Sequence, residues 1–222
     1  MLQGFSLWPD PLGFGAIDDE AVVEQFGDIA RQEYLAVGIR TALHPMADLA
    51  TEPRWGRMNG TFGEDAELVT PLTAAYIRGF QGEGVGPNGI SCMVKHFPGG
   101  GPQKDGLDAH FDYGKDQAYL DFKEPEKSRI LGILNRVPAI VDIYLERAAV
   151  IPEIAAASAA LLATFSVADS AVLDVVWGNF KPTGKLPIEM PSSMAAVRAQ
   201  KEDLPYDSAN PLFPFGHGLT YE

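Results

Sequence analysis

Apolar residues recur at the 3.6-residue spacing of a helix in two stretches of the first hundred residues, 16–38 and 65–84. Asp18 is the expected N-cap of the first helix, and Gly38 and Gly84 are expected to end the two helices. Largely apolar runs follow at 39–50 and 89–97 and predict buried strands. The order helix, strand, helix, strand favours an α/β fold with a parallel sheet and helical crossovers.

The pattern changes at residue 120. Helical spacing predicts helices over 124–137, 151–165 and 170–178, and an apolar run predicts a strand over 139–146. The remaining tail is rich in proline and glycine, with short pieces that are typical of strands. We therefore expect two units, residues 1–119 and 120–222, with a boundary near Tyr119 and Leu120.

Composition excludes several classes of protein. The formal net charge is −13, which repels nucleic acid and anionic membranes, and no apolar run approaches the ~20 residues of a membrane span. Cys92 is the only cysteine, so neither an internal disulfide nor a cysteine metal cluster can form, and no cofactor is expected. The first residues lack the basic and apolar regions of a secretory signal, which predicts a cytoplasmic location.

Lys95 and His96 lie where the second predicted strand meets a Pro-Gly-Gly-Gly-Pro loop. Parallel α/β folds place their sites at that end of the strands, and a lysine and a histidine there can hold the hydroxyls of a polyhydroxylated ligand. The alternative is a partly buried pair whose donors are satisfied by backbone carbonyls. The loop lacks the Gly-Lys-Ser/Thr ending of a P-loop and the Rossmann glycine spacing, so a phosphate site is disfavoured.

A second candidate group follows the first predicted strand. Arg54 and Arg57 flank Trp55, and an arginine fork can hold two hydroxyls or a carboxylate. For Arg57 we favour an internal clamp to Glu64 or Asp65, whereas for Arg54 the residues leave clamp and ligand binding equally open. His217, in a Pro- and Gly-rich tail, is expected to be structural.

Four stretches, "EPRWGRMNGTFGED", "VKHFPGGGPQKDG", "PTGKLPIEMPSS" and "NPLFPFGHGLTY", together resemble glycoside hydrolase family 3 of the β-glucosidase type, in the order in which the family carries them. The resemblance implies a partial (β/α)8-type barrel followed by part of an α/β sandwich domain. It also implies that Arg54, Lys95 and His96 bind sugar hydroxyls, which makes a β-linked glycoside the expected ligand. One position departs from the pattern, because Gly60 stands where many members carry Glu.

The larger departure is a missing catalytic motif. Family members use an Asp in a Ser-Asp-Trp or Thr-Asp-Trp motif as nucleophile, and no such motif occurs here; the barrel's opening strands and the region that carries the acid/base Glu also lack counterparts. Retaining glycosidases need two carboxyls roughly 5–5.5 Å apart. Asp105 and Asp108, near the Lys-His pair, are the only substitutes that we consider.

Two functions remain open from the sequence. The chain is either a β-glucosidase-like hydrolase that needs unrecognised residues or a partner chain, or a non-catalytic remnant that binds sugar or has no independent function. A part-barrel also leaves strand edges unpaired, which predicts marginal stability or self-association.

Overall fold

The computed structural model describes residues 4–96, 101, 103–108, 110 and 119–221. The order of helices and strands confirms the predicted α/β class. The helices are α1 (Pro11–Ile17), α2 (Glu20–Ala36), α3 (Ala66–Gln81), α4 (Glu126–Leu134), α5 (Pro152–Ala157), α6 (Asp169–Val176) and α7 (Met194–Ala199). The strands are β1 (Thr41–Ala42), β2 (Ser91–Cys92), β3 (Ile140–Tyr144) and β4 (Ala160–Thr164), and short 3-10 turns lie at Met58–Gly60 and Lys104–Gly106.

Helices α2 and α3 confirm the two helices predicted from apolar spacing, and an aspartate caps the N-terminus of each. The Asp65 side chain accepts a hydrogen bond from the backbone N–H of Leu68. The expected cap Asp18 is wrong: Asp19 caps α2 and accepts from two N–H groups of its first turn. Asp18 instead ends the separate helix α1 with a left-handed backbone (φ 52°). The non-helical residues 18–19 separate α1 from α2.

The contact between α2 and α3 depends on two glycines. A Cβ placed on Gly79 would lie 2.7 Å from the Cα of Gly27 and 2.3 Å from the carbonyl oxygen of Glu24. No side chain larger than hydrogen fits between the helices at this point. The backbones of α2 and α3 therefore touch directly at these two glycines.

Strands β1 and β2 pair in parallel, with Thr41 opposite Ser91 and Ala42 opposite Cys92. A further isolated parallel bridge joins Met46 to Lys95. The two segments therefore run side by side beyond the ends of the short strands. This pairing confirms the parallel arrangement predicted for the first half, whereas its identification as part of a barrel stays a prediction.

The second half contains another parallel pair. Strand β3 confirms the strand predicted there, and β4 pairs with it in register, with Ile140 opposite Ala160 and Tyr144 opposite Thr164. The single helix predicted over 151–165 is wrong in its second part. Helix α5 stops at Ala157, the backbone of Ser158 is extended, and the apolar run that follows forms β4 because β3 offers it an open edge.

Helices α4 and α6 confirm two further predictions, and the tail differs from expectation. Helix α7 was not predicted. Its N-cap is Ser193, whose side chain accepts from the N–H of Ala196. Among the described residues the tail contains an isolated antiparallel bridge between Met190 and Phe213 in place of strands.

Two apolar clusters fill the interior. One is confined to the first half, from Phe14 to Ile90. The other packs Leu12, Ala50 and Met58 against side chains between residues 120 and 197. The second cluster spans the expected boundary near residue 119, so the two halves share part of their core. The division into two units at that boundary stays a prediction.

Candidate functional site

Lys95 lies three residues beyond β2, at the C-terminal end of that strand, as predicted. Its backbone N–H donates to the Pro45 carbonyl at 3.0 Å, and its carbonyl accepts from the N–H of Ala47 at 2.7 Å. The side chain is half-buried, and its ammonium makes no ion pair or hydrogen bond within the part of the chain that the structure describes. The backbone is thus anchored while the charged end keeps three donors available.

His96 is held by Asp48. Asp48 Oδ2 accepts from the His96 backbone N–H at 3.1 Å and from Nδ1 at 3.0 Å. The Asp48 side chain is 2% exposed and that of His96 is 35% exposed. One edge of the imidazole therefore faces a buried carboxylate, while the ring itself reaches solvent.

Arg54 is a buried clamp in this structure. Its guanidinium forms a bidentate pair with Glu52, with both nitrogen–oxygen distances 2.8 Å, and reaches Asp105 and Glu202 at 3.2 Å each. The hydrogen bond to Glu52 is the main cause that raises the pKa of Arg54, and burial opposes it. The clamp joins three distant segments of the chain through one side chain.

Asp108 organises the neighbouring loop. Its carboxylate accepts from Trp55 Nε1 at 2.7 Å, from the backbone N–H of His110 at 2.9 Å, and pairs with Arg57 at 3.4 Å. Burial raises the pKa of Asp108, but these hydrogen bonds and the Arg57 charge outweigh it and lower the pKa to about 2. The expected clamp from Arg57 exists, but the predicted partners Glu64 and Asp65 are wrong.

Glu64 and Asp65 instead bind the C-terminal segment. Glu64 is 5% exposed and accepts from the backbone N–H of Glu189 at 2.5 Å and of Tyr206 at 3.1 Å. Asp65 accepts from the Tyr206 hydroxyl in addition to capping α3. Burial raises the pKa of Glu64 to about 7; its two backbone hydrogen bonds lower it, and the charges of Glu189 and Asp65 raise it further.

A small cavity lies at the same junction. It is lined by Glu64, Glu189 and Gln200 together with neighbouring parts of both halves. Its described lining does not include Arg54 or the Lys-His pair, so it is a separate feature of the structure.

Neighbours of two predicted site residues meet at Gly101. A Cβ on that residue would lie 2.5 Å from the Trp55 ring and 2.8 Å from Asp48 Oδ1. Asp48 holds His96, and Trp55 adjoins Arg54, so neighbours of two of the three predicted sugar contacts border the same glycine. This arrangement supports the expectation that Arg54, Lys95 and His96 converge on one site, which stays a prediction. The loop residues 97–100 and 102 lie outside the described residues.

Sequence reasoning missed or misassigned three of the carboxylates that shape this region. Asp48 had a signal, because it interrupts an otherwise apolar run after β1. Glu202 had none, since it lies 148 residues from the arginine that it contacts. Glu64 was assigned to the wrong partner. His217, expected to be structural, stacks on Phe213 with ring centroids 4.8 Å apart.

The described ranges, residues 4–96, 101, 103–108, 110 and 119–221, offer neither a metal site nor a membrane span. Those ranges contain no group of three or more His, Cys, Asp or Glu side chains placed to hold a metal ion. They also contain no helix long and apolar enough to span a bilayer. The expected cytoplasmic location stays a prediction.

Comparisons with known proteins bear on both halves of the chain. A model of the glycosyl hydrolase family 3 N terminal domain matches residues 1–125, and a model of the family's C-terminal domain matches residues 97–221. The periplasmic β-glucosidase/β-xylosidase of Dickeya chrysanthemi is 50% identical over 122 residues, which cover 54% of this chain and 18% of that protein.

β-Glucosidase C of Emericella nidulans is 26% identical over 466 residues, covering 98% of this chain and 75% of the relative. That alignment is more than twice as long as this 222-residue chain, so over half of its positions have no counterpart here. The structure of the β-glucosidase from Listeria innocua in complex with isofagomine matches the whole chain with a TM-score of 0.75 at 13% identity, covering 72% of that chain, which shows a shared fold. The same enzyme has been solved in complex with glucose, in a match with a TM-score of 0.44 over 46% of this chain at 32% identity. With both domain models matched in order, the chain belongs to glycoside hydrolase family 3, as a shortened form.

Proposed function

We propose that the region around Lys95 and His96 binds hydroxyl groups of the sugar of a β-linked glycoside. The observation that carries the proposal is the pair itself. Lys95 presents an ammonium without a partner among the described residues, beside an imidazole that is anchored on one edge only. The similarity to β-glucosidase C of Emericella nidulans and to the β-glucosidase/β-xylosidase of Dickeya chrysanthemi supports the choice of ligand.

Arg54 is the third proposed contact, and it is occupied. Of its five N–H donors, one binds Asp105, one binds Glu202 and two bind Glu52, which leaves one for a ligand. The Glu52 side chain is fully buried, whereas those of Asp105 and Glu202 are 58% and 36% exposed. A sugar that uses Arg54 fully therefore displaces Asp105 or Glu202 and leaves Glu52 in place.

We further propose that this chain alone binds a glycoside without hydrolysing it at an enzymatic rate. The family's Asp-Trp nucleophile motif is absent from the sequence. The two substitutes have other roles, because Asp105 pairs with Arg54 and Asp108 accepts from Trp55 and the His110 backbone. A retaining mechanism needs one carboxyl as nucleophile and a second as acid/base. No observation assigns Asp105 or Asp108 to either role.

Calorimetric titration with glucose tests the binding proposal. Lys95→Met and His96→Gln are each expected to weaken binding about tenfold, the effect of one lost charge-assisted or neutral hydrogen bond. Lys181→Met, at an exposed lysine of the C-terminal half, is the matched control and should bind as the wild type does. Binding that is unchanged in both site variants would overturn the proposal.

Self-association is a separate proposal. Each parallel pair among the described strands has only two members. Large apolar side chains are exposed on β3, at Ile140 and Tyr144, and just after α6, at Trp177. Open strand edges and apolar patches favour contacts between chains. Sedimentation velocity should show dimers or larger species whose fraction grows with concentration, and a monomer at all concentrations would contradict the proposal.

A further inference from the structure

The contact between Asp48 and His96 determines where the imidazole carries its proton. Asp48 Oδ2 lies 3.0 Å from Nδ1 and 3.1 Å from the His96 backbone nitrogen, and a carboxylate oxygen only accepts. Nδ1 must therefore carry a hydrogen to make this bond. In a neutral imidazole the other nitrogen, Nε2, is then an acceptor.

Asp48 occupies the Nδ1 edge of the ring and leaves the Nε2 edge without a hydrogen bond among the described residues. The His96 side chain is 35% exposed, and within the described residues its hydrogen bonds are the two to Asp48. The Asp48 side chain is 2% exposed and closes the Nδ1 edge to a ligand. A ligand thus meets the Nε2 edge and not the edge that Asp48 holds.

His44 shows the contrasting arrangement in the same half of the chain. Its two ring nitrogens face the hydroxyls of Tyr34 and Tyr76 at 3.1 and 2.8 Å, and no edge is left for a ligand. Tyrosine hydroxyls both donate and accept, so they do not impose one tautomer as a carboxylate does. The carboxylate at His96 is therefore a specific constraint and not a general property of histidines in this fold.

From this geometry we infer that Asp48 is a positioning residue that fixes the His96 proton on Nδ1, so that Nε2 accepts the proton of a sugar hydroxyl while Lys95 donates to a neighbouring one. Lysine can only donate, so the adjacent side chains present one donor and one acceptor. Two neighbouring hydroxyls of a sugar ring match that pattern, because a hydroxyl both donates and accepts. The ligand part of this inference rests on the proposed function, whereas the tautomer does not.

Long-range ¹H–¹⁵N correlation spectra of the full chain, labelled at histidine and recorded at pH 8, measure the tautomer directly. The His96 signals are those that disappear in His96→Gln. The wild-type spectrum is expected to show a protonated Nδ1 and an unprotonated Nε2. A proton on Nε2 would overturn the inference without any variant of Asp48.

Two variants at position 48 test whether Asp48 sets the tautomer of His96. Asp48→Asn keeps an oxygen that can accept both bonds and is expected to retain the wild-type tautomer. Asp48→Leu is similar in size but removes the acceptor, so the proton should shift towards a mixture of the two nitrogens. If the Leu and Asn variants respond alike, Asp48 does not set the tautomer.

Calorimetric titration of the same variants with glucose tests whether the tautomer affects ligand binding. Asp48→Leu should weaken binding about tenfold, whereas Asp48→Asn should stay within about twofold to threefold of the wild type. Equal affinities in the Leu variant and the wild type would overturn the positioning role. If the wild type binds no glucose, the proposed function fails, and the wild-type spectrum still decides the tautomer on its own.

Discussion

Replacing Glu64 by glutamine should change how stability depends on pH. Glu64 is 5% exposed, and burial raises its pKa from the ordinary value of 4.5 to about 7. A carboxyl whose pKa is higher in the folded state contributes stability below pH 4.5, and this contribution is lost as pH rises through about 7. Each unit of difference between the unfolded and folded pKa corresponds to about 1.4 kcal/mol, so the stability lost as pH rises is about 3 kcal/mol.

Glutamine removes this titration but keeps the shape. It also replaces one accepting oxygen by an N–H₂ group that faces a backbone donor of Glu189 or Tyr206, which costs about 1–3 kcal/mol. The free energy of unfolding of Glu64→Gln should therefore lie below that of the wild type at pH 5. The gap should close by about 3 kcal/mol between pH 5 and pH 8, so that at pH 8 the variant equals or exceeds the wild type.

Urea denaturation at half-unit pH intervals measures both curves. Glu67→Gln makes the same chemical change on the exposed side of α3 and should stay within about 1 kcal/mol of the wild type throughout. Parallel curves for Glu64→Gln and the wild type would refute the argument. So would a gap that widens with pH, because it would mean that the two backbone donors outweigh burial and keep Glu64 ionised.

Three further predictions follow from the packing, the clamp and the missing nucleophile. Gly79→Ala should lower stability by about 1–3 kcal/mol in urea denaturation because its Cβ collides with α2, whereas Gly132→Ala, with open space around it in α4, should raise stability by about 0.5–1 kcal/mol; equal effects would contradict the close approach. Glu202→Gln should tighten glucose binding up to about fivefold in calorimetry by releasing a donor of Arg54, with the exposed Glu83→Gln as control, and weaker binding in Glu202→Gln would contradict the proposed competition. Purified chain should release no aryl group from an aryl β-glucoside at rates near ~1 per second, and such a rate would show that a nucleophile is present.

Local signals predicted most of the elements correctly. The apolar spacing over 65–84 and the glycine that follows it mark α3 without any knowledge of the rest of the chain. The strand β4 could not be distinguished from a helix in this way. Its run of alanine and leucine suits both structures, and only the open edge of β3, about twenty residues earlier, decides between them.

The candidate site also contains residues that local sequence predicts and residues that depend on distant parts of the chain. Lys95 and His96 could be placed from sequence because a strand followed by a glycine-rich loop is a local pattern. The state of Arg54 could not, since its partners Asp105 and Glu202 come from 51 and 148 residues away. Charge neighbours of this kind depend on how segments distant in sequence pack together, which neither spacing nor composition reports.

The central claim is that this shortened family member holds a sugar at the Lys95–His96 pair. A ¹H–¹⁵N correlation spectrum of the full chain, recorded during titration with glucose, tests it most directly. The account predicts saturable shifts of the backbone amides of His96 and Ala47, which lie on the anchored segments beside the pair, with little change on α6. No shift at high glucose concentration, or shifts confined to the exposed surface around Trp177, would contradict it.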